Sequence, residues 1–287
     1  MSDLDAHISK WVGEITMIHT DTFLRIGHSH QVCEDYIING EFMTSICTPI
    51  KYVILSDGCS SSKNTEMGAR ILCHLAKQYL LYRKDDYRFP SLDYDEMGLW
   101  IIHNAELTAR QLGLTRNCLD ATLIIAYEFQ EVYRIYIYGD GVVAVQGKDK
   151  KVSIMEIEFT KNAPYYLSYK IDPERMYLYD KMGQELLIHH DSHVTDNTNG
   201  YAYDYKTFFR YDAMFFPNIL ISSDGISSFT RRSDPEQTLE MAEEFLLFKS
   251  TKGEFLKRRL KRALKNYDAD GINHMDDLSV GAFLYED

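Results

Sequence analysis

TLIIAYEFQEVYRIYIYGDGVVAVQ, residues 122–146, is the stretch that decides the fold class. Three runs rich in β-branched and aromatic residues follow one another in it, at 122–127, 132–138 and 142–146, and that composition reads as strand. The gaps between them are too short for the crossover helix that a parallel pair requires. Antiparallel pairing follows, and with it an α+β chain rather than a βαβ series. Further strand-like runs lie at 51–56 (KYVILS), 152–159 (VSIMEIEF), 218–223 (NILISS) and 278–285 (LSVGAFLY). Helical spacing appears at 65–82, where Met67, Ile71, Leu72, Leu75, Tyr79 and Leu80 recur three and four apart, and at about 94–112, 235–248 and 253–266.

With 287 residues, 45% apolar and 26% charged, the chain has the composition of a globular protein. No internal repeat, low-complexity tract or Pro/Gly/Ser linker divides it, so one domain is expected over 1–287. The segment at about 160–217, crowded with tyrosines, is expected to form a flap or insertion over one edge of the core. No apolar run reaches the roughly 20 residues of a membrane span, and the acidic start MSDLDAH is unlike a secretory signal; a cytoplasmic protein with no membrane contact is expected. Five cysteines without a CxxC pair predict reduced thiols. A net charge of −12 argues against nucleic-acid binding, which needs surplus Lys and Arg.

Strands that end in aspartate recur. KYVILS runs into Asp57-Gly58, VYRIYIY into Gly139-Asp140-Gly141, and NILISS into Asp224-Gly225. Asp-Gly is a common turn pair, but Glu34-Asp35 before Tyr36-Ile37 and Asp276-Asp277 before the last strand extend the pattern. A carboxylate beside a glycine offers a side-chain and a main-chain oxygen together, and all-oxygen sets suit Mg²⁺ or Mn²⁺ better than zinc.

The order of these motifs resembles the protein phosphatase 2C family from about residue 24 to the C-terminus. GHSHQVCEDY (27–36), VILSDGCSSSKNTEMGARIL (53–72), DATLIIAY, IYGDGVVAV, ILISSDGISSF and HMDDLSVGAFL carry the resemblance. It implies a four-layer α-β-β-α sandwich, two antiparallel sheets flanked by helices, with a two-metal site at one end. It also implies hydrolysis of phosphoserine and phosphothreonine in proteins by a hydroxide bridging two Mn²⁺ or Mg²⁺ ions, a third and weaker cation accompanying them. By position, Asp57 would bridge both metals, Asp224 and Asp276 completing one and Glu34 and the Gly58 carbonyl the other. Asp140 matches the third-cation position and Asp35 would orient the attacking water. The partner implied is a phosphoprotein with its own serine/threonine kinase; nothing in the sequence fixes an oligomeric state.

Departures from the family pattern also count. His30 stands where many members place a phosphate-binding arginine, so His30, with His28 and Arg25 as alternatives, is the candidate for that contact. The closing Asp-Asn is Asp276-Asp277. These departures keep a second reading open, a phosphatase fold with little or no turnover that serves as regulator or scaffold. Other signals read as background: the calcium-loop imitation NYDADGINHMDD (266–277), the trio His189, His190 and His193, and the basic KRRLKRALK (257–265), expected as the solvated face of a helix.

Overall fold

The computed structural model describes residues 17–192, 199–203, 205–230 and 236–286. One six-stranded sheet runs in the order β1 (Met17–Arg25), β12 (Leu278–Glu286), β11 (Asn218–Ser222), β6 (Gly141–Gln146), β7 (Val152–Phe159) and β8 (Leu186–Ser192). The other runs β2 (Tyr36–Met43), β3 (Pro49–Ser56), β4 (Leu123–Phe129), β5 (Val132–Tyr138), β10 (Lys206–Asp212) and β9 (Asn199–Tyr203). Every ladder in both sheets is antiparallel. Helices α1 (Thr65–Arg83) and α2 (Tyr94–Gln111) pack on the second sheet, and α4 (Glu236–Leu246) and α5 (Phe255–Ala269) on the first. The result is the expected α-β-β-α sandwich.

The two-residue period of a strand explains the four layers. In β3, Ile50, Tyr52 and Ile54 face α1 and α2, whereas Val53 and Leu55 face the other sheet. Buried on both faces, such a strand reads as an unbroken apolar run instead of an alternation. Between the sheets, Val53, Leu55, Ile135 and Ile137 meet Val143, Val145, Ile219 and Ile221. Each side chain of this size contributes roughly 1.5–3 kcal/mol on full burial. On the outer faces Leu72, Tyr79 and Ile101 close one layer and Phe245, Leu256 and Leu260 the other.

In the deciding stretch, β4 and β5 form the expected hairpin, through a two-residue turn with Gln130 and Glu131 at φ 55° and 59°. The next step departs from it. β6 does not pair with β5 but crosses to the other sheet, between β11 and β7. The crossing is made by Gly139-Asp140-Gly141, with φ 101° and 138° at the two glycines, values that other residues rarely adopt. Segment 160–217 supplies the short helix α3 (Pro173–Lys181), then β8 to the edge of one sheet and β9 and β10 to the far side of the other. The basic stretch lies on α5 as read, with Phe255, Leu256, Leu260 and Leu264 buried and Arg258, Lys261, Arg262 and Lys265 exposed. Among the described residues no helix is long and apolar enough to cross a membrane.

Candidate metal centre

Antiparallel topology gathers the ends of β3, β5 and β11 and the starts of β2, β6 and β12 on one rim. Each carries one of the singled-out acids: Asp35 precedes β2, Asp57 follows β3, Asp140 joins β5 to β6, Asp224 follows β11 and Asp276 precedes β12 by two residues.

Backbone contacts hold these loops in register. Thr122 N–H donates to the Asp57 carbonyl at 2.8 Å, Asp57 N–H to Thr122 Oγ1 at 3.2 Å, and Cys59 N–H to the Asp120 carbonyl at 2.9 Å. Gly58 leaves no room for a side chain, since a Cβ there would lie 2.8 Å from Thr65 Cβ and 2.9 Å from the Glu34 carbonyl oxygen. Gly225 is tighter still, its would-be Cβ 1.8 Å from the Asp277 carbonyl oxygen. These two glycines let the Asp57 and Asp224 loops press against the chain on either side.

Asp57 is the hub of the carboxylates. Burial first, then the charges of Asp35, Asp224, Asp140 and Asp276, push its carboxyl well above the usual range. Burial and the Asp224 charge do the same to Asp140. Asp224 is pushed up to about 6 by burial and Asp276, and Asp35 to about 7 by burial, against the lowering effect of the nearby Ser279, Asp57 and Ser223 side chains. Ser223 Oγ donates to Asp35 Oδ2 at 2.9 Å. Asp35 Oδ1 and Asp224 Oδ1 are buried without a hydrogen-bond partner.

Glu34 stands to one side. Its carboxylate accepts from Thr65 Oγ1 at 2.9 Å, and burial raises it most, with Thr65, His30, Asp277 and Glu66 the leading neighbours. His30 lies between two acids, Nε2 at 3.4 Å from Asp276 Oδ1 and Nδ1 at 3.1 Å from Asp277 Oδ2, with Nδ1 buried and making no hydrogen bond. His28 is exposed, and Arg25 pairs with Asp268 at 3.0 Å. The two departures from the family pattern, His30 and Asp277, thus touch each other.

Sequence reasoning gave Asp277 no task beyond an added charge. The structure buries it and has it accept from Gly27 N–H at 2.7 Å and Glu34 N–H at 2.6 Å, tying the 27–34 loop to the start of β12. Asp120 went unremarked as well. Buried before β4, it accepts from Ser62 Oγ at 2.8 Å and Ser168 Oγ at 2.6 Å, and Arg175 of α3 grips it through Nη1 at 3.0 Å and Nη2 at 2.9 Å. Segment 160–217 is fastened to the rim in this way. Single polar letters far apart in sequence give no signal for such pairing.

The Cys33 thiol at the rim is a poor nucleophile. Burial and the charges of Asp277 and Asp35 push Cys33 up to about 12, far from the thiolate form that reacts. His189, from the histidine trio, pairs with Glu158 at 3.3 Å, and His193 lies outside the described residues.

Among the described residues no three His, Cys, Asp or Glu side chains are set to hold a metal ion as they stand. The donor chemistry nevertheless fits a hard cation. The leading influences on Asp57 are burial and other carboxylates, with no Lys or Arg among them, and two buried oxygens lack partners. Like charges desolvated together call for an opposite charge, and divalent cations with oxygen ligands supply it.

A family model of protein phosphatase 2C matches residues 27–265. Among solved structures, a bacterial serine phosphatase bearing a single substitution superposes with TM-score 0.53 at 12% identity, covering 94% of this chain and 99% of that one. The PP2C phosphatase domain of the cell fate determinant SpoIIE from Bacillus subtilis, with a fragment of its regulatory domain, gives 0.53 at 13%, over 94% of this chain and 64% of that one. Serine/threonine phosphatase Stp1 from Staphylococcus aureus gives 0.51 at 14%, over 95% and 96%. At these identities the likeness is one of fold. No curated protein matches the chain.

Proposed function

The chain belongs to the protein phosphatase 2C family, and from that premise we propose that it hydrolyses phosphoserine and phosphothreonine in proteins with divalent cations at the carboxylate rim. The observation that carries the reading is the convergence of Asp35, Asp57, Asp140, Asp224 and Asp276 around one point with no Lys or Arg prominent among them. A phosphate dianion would be repelled from that rim unless positive charge entered first. Mn²⁺ or Mg²⁺ bound there would supply that charge, screening the phosphoryl oxygens and acidifying an attacking water.

The chain's own residues then have distinct tasks. Asp57, central to the cluster, with Asp224 and Asp276 on one side and Glu34 and the Gly58 carbonyl on the other, would hold two cations, and Asp140 with Asp224 a third. Asp35, fixed through Oδ2 by Ser223, keeps Oδ1 as an acceptor that orients water. His30 would meet substrate phosphate only by turning one ring nitrogen away from Asp276 or Asp277. A kinase acting on serine or threonine of the same protein would supply the substrate.

A second reading, a regulator of phosphatase fold with weak turnover, draws support from position 30, where a histidine already engaged by two acids replaces the family's arginine. One assay separates the two. With Mn²⁺, hydrolysis of p-nitrophenyl phosphate and of a phosphothreonine peptide is expected, abolished by EDTA and by Asp57→Asn. Hydrolysis that survives EDTA refutes the metal reading, and no hydrolysis with any divalent cation favours the regulator.

A further inference from the structure

The end of the sandwich opposite the carboxylates holds a cavity of about 900 Å³. Its position follows from the strands: Asn218 opens β11 there, whereas Asp224 lies just past that strand's other end. The β6–β7 turn, the end of β12 and the stretch after α4 form the walls. The volume is within the range of cofactor and nucleotide sites.

The rim of the cavity is basic. Lys148 and Lys150 come from the β6–β7 turn, and Lys249 and Lys252 face them from the stretch after α4, all exposed. None of these lysines stands in an ion pair among the described residues. The carboxylate on the wall, Glu286, is engaged elsewhere, with His19 Nε2 at 3.0 Å and Thr251 Oγ1 at 3.0 Å, Lys252 acting on it from farther off. In a chain of net charge −12, four lysines converging from two segments, with Asp149 of the turn paired to Lys151 at 3.8 Å, mark a place for an anion. Ammonium groups bind phosphates as point charges.

The interior asks for more than an anion. Leu246 and Leu284 are buried on its wall, with Phe248 partly so. At the back, Asn218 Nδ2 donates to Gln146 Oε1 at 2.7 Å, and Gln146 Nε2 donates to the Lys150 carbonyl at 3.1 Å, which fixes the lysine-bearing turn. Asn218 itself is only 5% exposed, yet its Oδ1 accepts no hydrogen bond.

We infer that this cavity binds a nucleoside polyphosphate, phosphates on the lysines and base against the apolar wall. The site is independent of the carboxylate rim and of any phosphatase activity. An inorganic polyphosphate has the charge but not the flat apolar body.

Calorimetric titration of the full chain with ATP, GTP and inorganic triphosphate, at low salt and with EDTA present, tests it. Without divalent cations the acidic rim repels all three, so any binding reports on the lysine end. Expected is saturable binding of ATP or GTP, at least ten-fold tighter than triphosphate and at least ten-fold weaker in the surface variant Lys148→Glu with Lys249→Glu. That variant's circular dichroism should match the wild type. No saturable binding of either nucleotide up to about 1 mM, where the standard binding free energy would be about −4 kcal/mol, overturns the inference. So does a variant that binds as the wild type does. Triphosphate binding as tightly as both nucleotides overturns the assignment of a base pocket.

Discussion

The same strands end in opposite ways at the two ends of the sandwich. At the rim, Asp35, Asp57, Asp140 and Asp224 are hemmed in by protein, and burial first, then neighbouring carboxylates, raises their carboxyls above the ordinary range. At the far end, Lys148, Lys150, Lys249 and Lys252 stand in water around an open cavity. Like charges packed in low dielectric repel by several kcal/mol, whereas exposed ones a Debye length of about 8–10 Å apart scarcely interact. A counter-ion bound at the rim, as proposed, would relieve that repulsion. The far end can stand empty or filled with little change to the fold.

The largest effect is expected where the rim loses a central carboxylate. Asp57→Asn and Asp224→Asn should each lower hydrolysis on the order of 10³-fold, because several kcal/mol of charge stabilisation go with the cation. Without metal the same variants should melt higher than the wild type at pH 8, by about 2–4 °C for each kcal/mol of repulsion relieved. A lower melting temperature in EDTA would break the comparison, since it would mean that the acids stabilise the fold by themselves.

Gly225→Ala strikes the backbone beneath the rim. The added Cβ would lie 1.8 Å from the Asp277 carbonyl oxygen, so one of the two chains must shift. A loss of up to about 3 kcal/mol is expected in urea unfolding, with activity lost alongside because Asp224 and Asp276 move with those chains. An unchanged unfolding midpoint would show the rim to be looser than its packing implies.

These two predictions fall on parts of the molecule that differ in how visible they were in sequence. Asp57, Asp140 and Asp224 stand beside glycines at the ends of apolar runs, a local signature that ordinary turn chemistry makes readable. The strands β3 to β7, β11 and β12 and the helices α1, α2, α4 and α5 were readable too, because burial on one or both faces writes a period into the sequence. The crossing from β5 to β6 was not, since a three-residue link looks the same whether the next strand pairs with its neighbour or joins the facing sheet. Nor were β8 to β10 and α3: β8 and β9 are edge strands with one neighbour each, and α3 is held by the pair of Arg175 with Asp120, formed between residues 55 apart in sequence.

His30 and Asp277 sharpen the comparison at the rim's own border. Asp277→Asn leaves one oxygen to accept from Gly27 and Glu34, with an amide N–H2 facing a donor, so about 1–3 kcal/mol of stability should be lost. His30→Ala should cost less. If the two residues hold each other as the 3.1 Å approach suggests, the double variant should fall short of the sum by about 0.5 kcal/mol or more. Additive losses would separate them. A large rise in KM in His30→Ala, with stability unchanged, would instead assign the ring to substrate phosphate.

The smallest effect is expected at the far end. Lys249→Gln removes one exposed charge that no carboxylate balances among the described residues. Such a substitution falls within about ±0.5 kcal/mol when nothing buried depends on it. Its sign should be slightly stabilising, because Lys249 faces Lys148 and Lys150 across the cavity. Salt should erase even that: at 1 M ionic strength the Debye length is about 3 Å, and the variant and the wild type should unfold together. At the rim the gain from Asp57→Asn should survive salt far better, since charges enclosed by protein are poorly screened. Unfolding both variants in urea at 0.05 M and 1 M salt, with EDTA throughout, measures the contrast directly. A Lys249→Gln effect above 1 kcal/mol that persists in 1 M salt would place these lysines in the same enclosed regime as the acids.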